Sequence, residues 1–306
     1  MTCAIPGARA LAFLLTASVS AAAGAAGQRS FVSSNGDDAN PCTLTQPCRG
    51  FAAAVANTDD EGEVIVLDSA GYGAVTIGKS ITIAAPPGIY GGISVFTGNG
   101  ITVDGASIVV VLRGLSINNQ GGDFGVAFLQ GKELLIQDSE VSGFSIYDAV
   151  KATASNSVIT IRNSTLRDSG TGFHALGTVS ATLDAVRMYS NNGYGVRAET
   201  GSKVTVTNSV IADTGFTGVE AEGSGLTDLT VTRSVITRCA YGVSVLAFPG
   251  GTARILLDGS TVTEATTALN FSGYGGTELI FSPGNNIVGF ASTVVNGGAL
   301  SPCCNI

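Results

Sequence analysis

The chain has no tryptophan, one histidine and two methionines in 306 residues, and only 12% of its residues are charged. Charge this sparse leaves little polar surface for long amphipathic helices, and 42 glycines argue against them too, since each glycine inside a helix costs about 1 kcal/mol relative to alanine. One histidine leaves no Ser–His–Asp arrangement to assemble beyond a single choice of base, and no Cys/His spacing suggests zinc. No glycine-rich loop stands between a strand and a helix to cradle a phosphate, so no cofactor is expected. Lysine and arginine total 15 against 23 acids, a net charge of −8. That balance excludes nucleic-acid binding through the overall field. Beyond the first 27 residues there is no apolar run long enough to cross a membrane.

Those first residues, MTCAIPGARALAFLLTASVSAAAGAAG, carry one positive charge, Arg9, then an apolar run from Ala10 to Val19 and a string of small residues. This is the layout of a secretory signal, cleaved between Ala23 and Gly27. It is too short to span a bilayer. Without it the charge becomes 14 − 23 = −9. The expected location is secreted, periplasmic or at the cell surface. Of the six cysteines, Cys3 leaves with the signal, and Cys42 and Cys48 in PCTLTQPC are expected to close a disulfide in an oxidising compartment. Cys239 reads as a buried free thiol. The pairing of the adjacent Cys303 and Cys304 stays open.

What the sequence has in abundance is repetition. A phrase of the form aliphatic-x-[N/D/R/G]-small-x-aliphatic occurs as LRGLSI (from Leu112), IQDSEV (Ile136), IRNSTL (Ile161), LDAVRM (Leu183), VTNSVI (Val206), VTRSVI (Val231) and LDGSTV (Leu257). The steps are 24, 25, 22, 23, 25 and 26 residues. A second phrase trails each copy: GVAF at Gly125, AVKA at Ala149, GFHA at Gly172, GVRA at Gly195, GVEA at Gly218, GVSV at Gly242 and ALNF at Ala268. Such a period means a solenoid, and the alternation within each copy means strands. The fold class expected is all-β: a single-stranded right-handed parallel β-helix with a short N-terminal capping helix in RGFAAAVANT, Arg49 to Thr58. Coils stacked at the parallel-strand spacing of about 4.8 Å make roughly 34 Å from seven copies. Val126 and Phe128, Phe173 and Ala175, Val196 and Ala198, Val219 and Ala221, and Val243 and Val245 should point inward. The [N/D/R/G] position reads as a broken polar ladder at a turn, with gaps at Ala185, Arg233 and Gly259. The chain divides into residues 1–27 (signal), 28–62 (cap with disulfide loop and helix), 63–272 (coils) and 273–306 (final coil and cap).

The stretch FVSSNGDDANPCTLTQPCRGFAAAV, Phe31 to Val55, followed by strand repeats resembles the opening of secreted bacterial right-handed parallel β-helix proteins of the pectate lyase-like superfamily. The resemblance runs over roughly residues 30–300 and implies a three-faced coil with an N-terminal helical cap. Members include polysaccharide lyases, hydrolases and epimerases, and also adhesins and domains without activity. The paired aspartates and Gly-His-Gly of the galacturonan hydrolases are absent from the coils: Asp37–Asp38 and Asp59–Asp60 precede them. The acids on the coils do not cluster in sequence, and without tryptophan platforms for sugar rings look thin.

One column stands out. The residue between the two inward positions of the second phrase is, along the stack, Ala127, Lys151, His174, Arg197, Glu220, Ser244 and Asn270. Lys151, His174, Arg197 and Glu220 are the candidate site, the equipment for binding a uronate and abstracting a proton beside its carboxylate. The alternative is a solvated strand face with charges alternating between neighbouring strands. A second face carries Thr160, Thr182, Thr205 with Thr207, and Thr230 with Thr232, the kind of array that orders water for ice binding, but Leu135, Gln137, Arg162 and Asp184 interrupt it, and threonine is simply at home on a strand. The expected function is a secreted or surface scaffold without catalysis that contacts a polysaccharide. The alternatives are a polysaccharide lyase or related enzyme acting on an acidic glycan through that column, and a structural or adhesive module.

Overall fold

The computed structural model describes Met1 and residues 27–302. Residues 2–26 of the expected signal segment, Cys3 among them, and the Cys303–Cys304 pair lie outside the described residues.

The described chain winds into one parallel β-solenoid. Three sheets run its length, one of twelve strands and two of ten, and every hydrogen-bonded neighbour comes from the preceding or following coil. A representative coil has a three-residue strand Thr165–Arg167, a bend, the strand Thr171–Ala175, a second bend and the strand Val179–Asp184. Period-two alternation sends Ile159 and Ile161, Ala181 and Leu183, Val204 and Val206, and Leu229 and Val231 inward, where all are buried. Register lines these residues up like on like: Ile161 on Leu183, Leu183 on Val206, Val206 on Val231. The inward residues expected from the second phrase, Val126 through Val245, are all fully buried. Burial of such side chains, about 1.5–3 kcal/mol each, is the main source of the fold's cohesion.

Three corners turn each coil, and two of them hold a left-handed residue at the same place in successive coils. At the first, Asp138, Asn163, Ala185, Asn208, Arg233 and Gly259 have φ of +52°, +46°, +54°, +50°, +47° and +56°. The expected polar ladder is therefore a conformational column, kept even where Ala185 and Arg233 lack the side chain that tolerates it best. The hydrogen-bonded ladder sits one residue on. Ser164 Oγ donates to the Arg162 carbonyl at 2.7 Å and accepts the Ser139 N–H at 3.2 Å, and Ser209, Ser234 and Ser260 repeat the arrangement. The second corner, with Asp168, Ser190, Asp213, Arg238 and Glu264 at φ between +52° and +55°, had no signature of its own in the repeat.

The glycine that opens the second phrase is there for space. A Cβ at Gly218 would stand 2.5 Å from Ile236 Cγ2 and 2.6 Å from the Gly242 carbonyl oxygen.

At the N-terminal end the strand Gly27–Val32 pairs with Thr58–Val66, and the helix Phe51–Asn57 lies between them in sequence. Cys42 and Cys48 are joined by a disulfide and are buried with Val32 and Phe51. Cys239 is buried and joined to no described cysteine. At the far end Thr277–Ser282, Ile287–Gly289 and Thr293–Asn296 add another coil, whose last strand is exposed along its length. No helix among the described residues is long and apolar enough to cross a membrane.

Candidate functional site

The column picked out in the sequence is a true row. Ala127 pairs with Lys151, Lys151 with His174, His174 with Arg197, Arg197 with Glu220, Glu220 with Ser244 and Ser244 with Asn270. The row runs one coil further, to Asn296. It is not the solvated face that the alternation alone suggests. His174, Glu220, Ser244 and Asn270 are buried, while Lys151 and Arg197 are half-buried. Neighbouring side chains cover the row, and three of them are acids.

His174 is held from both sides. Its Nδ1 lies 2.9 Å from Asp148 Oδ2 and its Nε2 lies 3.0 Å from Glu199 Oε1. Ionised carboxylates only accept hydrogen bonds, so both contacts are satisfied when the ring is an imidazolium donating from each nitrogen. Burial works against that charge, but the hydrogen bonds to Asp148 and Glu199 outweigh it and hold the pKa above its ordinary value. The same contact with His174 pulls Glu199 below the usual carboxylate range, against burial and with help from Arg197.

Arg197 is the centre of the next rung. Its Nη1 lies 3.1 Å from Glu199 Oε1, and its Nη2 and Nε lie 2.5 Å and 3.1 Å from Glu222 Oε2. Its Nε is also 3.8 Å from Glu220 Oε1. The guanidinium lies over the Tyr194 ring, 5.0 Å from its centroid. Glu220, beneath it, is only 4% exposed. Burial first, and then the negative charge of Glu222, push its pKa up to about 7, although Arg197 pulls the other way. Lys151 stands apart: its Nζ lies 4.7 Å from the centre of the Phe124 ring.

Alongside the row, aromatic side chains from the strand starts and bends form a wall. Tyr194 and Phe216 meet edge to face at 5.5 Å, and Phe216 meets Tyr241 at 5.3 Å. Wall and row enclose an open cleft of about 400 Å³, lined by Tyr194, Phe216, Tyr241 and Tyr274 with Arg197, Glu220, Glu222, Ser244, Asn270 and Asn296. Its polar floor continues the row, with Asn270 Nδ2 donating to Ser244 Oγ at 3.3 Å and Asn296 Nδ2 donating to Asn270 Oδ1 at 2.9 Å. The expectations that the acids are scattered and the aromatic platforms thin both give way here. Asp148, Glu199 and Glu222 belong to the site, and four rings assemble without a tryptophan. Glu199 and Glu222 each lie two residues after a member of the row, the spacing that returns a strand residue to the same face. Among the described residues no group of three or more His, Cys, Asp or Glu side chains is arranged to hold a metal ion.

Residues 99–261, more than half the chain, match the family described as "Right handed beta helix region". The chain belongs to this right-handed β-helix family. Among solved structures, this β-helix is similar to the pectate lyase Pel9A, at 15% identity and a TM-score of 0.59, covering 89% of this chain and 81% of that one. It is also similar to a rhamnogalacturonan lyase, at 11% identity and a TM-score of 0.53, covering 87% of this chain and 84% of that one. At such identities the likeness is one of fold. No curated protein matches the β-helix chain.

Proposed function

We propose that this β-helix is a secreted or surface-held glycan-binding scaffold that works without catalysis, and that its ligand lies in the cleft along the row from Arg197 to Asn296. The observation that carries this reading is the wall of Tyr194, Phe216, Tyr241 and Tyr274 beside a polar row of carboxylates, amides and hydroxyls. Sugar rings present apolar faces to aromatic rings and hydroxyls to acceptors and donors, so both sides of the cleft have work to do. The similarity to two lyases named for polysaccharide substrates is in keeping with it. Secretion draws support from the signal layout of residues 1–27 and from the Cys42–Cys48 disulfide. A glycan array probed with the protein and with Tyr241→Ala tests the reading. Retention of at least one glycan, weakened about tenfold or more by the substitution, is expected; an array with no retained glycan rejects it.

A second reading, a polysaccharide lyase or related enzyme, has one observation in its favour: Glu220 titrates near 7, in the range where a carboxyl exchanges protons at neutral pH. Against it, both nitrogens of His174 and all three of Arg197 are already engaged with carboxylates. Lys151, over Phe124, is the candidate left outside an ion pair among the described residues. Reducing-end and unsaturated-product assays over a polysaccharide panel decide between the two readings, since a binding scaffold releases neither product.

A further inference from the structure

The charge of the cleft narrows its ligand. Resting on the glycan reading, we infer that the cleft is built for an uncharged sugar chain and turns carboxylated sugars away.

Among the described residues, Arg197 is the one cation lining the cleft. A uronate would need a guanidinium edge, yet the Nε–Nη2 edge is committed to Glu222 and one N–H of Nη1 to Glu199, so a carboxylate at the remaining donors stands beside two others. The next cations along the row do not replace it. His174 donates from both nitrogens to Asp148 and Glu199, and Lys151 lies over Phe124, away from the cleft. A sugar carboxylate entering the cleft would instead face Glu222 and Glu220 at short range, in a setting where burial already disfavours a second negative charge. Like charges a few ångströms apart near a protein surface repel strongly enough to cost about two orders of magnitude in affinity. The whole chain, at −8, adds to the repulsion at long range.

The same groups suit a neutral chain. Sugar hydroxyls donate to carboxylate oxygens, and charge-assisted bonds of that kind are the stronger ones. Asn270, Asn296 and Ser244 form a hydrogen-bonded line that can both donate and accept. Tyr194 and Tyr241 offer the apolar surface that a pyranose face requires.

The test is calorimetric titration of the full chain with neutral gluco-, manno-, galacto- and xylo-oligosaccharides, with oligogalacturonate and with oligoglucosamine. At least one neutral chain should bind, with oligogalacturonate weaker by about a hundredfold. Raising the salt concentration should strengthen any residual oligogalacturonate binding, the reverse of what a basic site shows. Glu222→Gln removes one repelling charge and frees a face of Arg197, so oligogalacturonate binding should rise by about tenfold or more; a melting curve confirms that the variant is folded. If oligogalacturonate binds the unaltered protein more tightly than every neutral chain, the inference fails and the glycan reading survives. A preference for oligoglucosamine also overturns the uncharged assignment. If no sugar binds, the inference and the reading fall together.

Discussion

Glu220 sits 4% exposed beneath Arg197 and beside Glu222, an arrangement that sets how the protein responds to pH. Its carboxyl titrates at about 7 when folded against an ordinary 4.5. A carboxyl with a raised folded pKa contributes stability that is complete below pH 4.5 and lost as pH climbs through 7. His174, also raised, contributes below its ordinary 6.5 and loses that contribution as pH rises through its higher folded pKa. The two add in sign, so thermal stability should fall as pH rises from about 4.5 through 7, and further above 6.5 as His174 gives up its proton. Glu220→Gln, which cannot ionise, should remove the part of that fall below pH 7, leave the His174 part, and be more stable than the unaltered protein at pH 8 by up to about 3 kcal/mol. Melting temperatures across the pH range check this; equal pH profiles for the two proteins would refute it. His174→Gln leaves Asp148 without its cation and Glu199 with Arg197 alone, and should destabilise by about 3 kcal/mol.

At the scale of the strand and corner, the repeat's irregularities are informative. Ala185 holds φ of +54° in a column where Asn163 and Asn208 do the same. An alanine in left-handed backbone costs about 1–2 kcal/mol, so Ala185→Asn should stabilise by about 1 kcal/mol, read from denaturant midpoints. Gly218→Ala should have the opposite sign, about 1–3 kcal/mol destabilising, because its Cβ would stand 2.5 Å from Ile236 Cγ2. Both positions also show what the sequence could and could not disclose. Inward residues announce themselves through aliphatic alternation, and the first corner through asparagine and aspartate, because core and turn each restrict residue type. The second corner is occupied by Asp168, Ser190, Asp213, Arg238 and Glu264, all polar but of mixed type, and polarity is what any exposed turn shows, so its left-handed geometry left no distinct mark. Likewise the row Lys151–His174–Arg197–Glu220 follows from register, whereas its burial does not. Burial comes from Asp148, Glu199, Glu222 and the Tyr194–Phe216–Tyr241 wall, which approach from beyond the repeated phrase.

For the molecule as a whole, stability is spread along the axis, since each coil touches its neighbours and few others. The strand Gly27–Val32, the helix Phe51–Asn57 and the Cys42–Cys48 disulfide close one end. In the chain-entropy view a disulfide closing so short a loop contributes about 2 kcal/mol. Because only the inward columns carry the packing, outward rows can differ from coil to coil without disturbing the tube, which is how a buried charged row and an interrupted threonine face coexist on one solenoid.

The coil repeat also works as a ruler. Arg197, Glu220, Ser244, Asn270 and Asn296 lie on successive rungs, each advancing about 4.8 Å, close to the length one hexose adds to an extended oligosaccharide. A chain lying parallel to the axis would thus present one monomer per rung. In a titration with a ladder of homologous oligomers, affinity should climb with each added unit and stop climbing at about four or five, where the rungs run out.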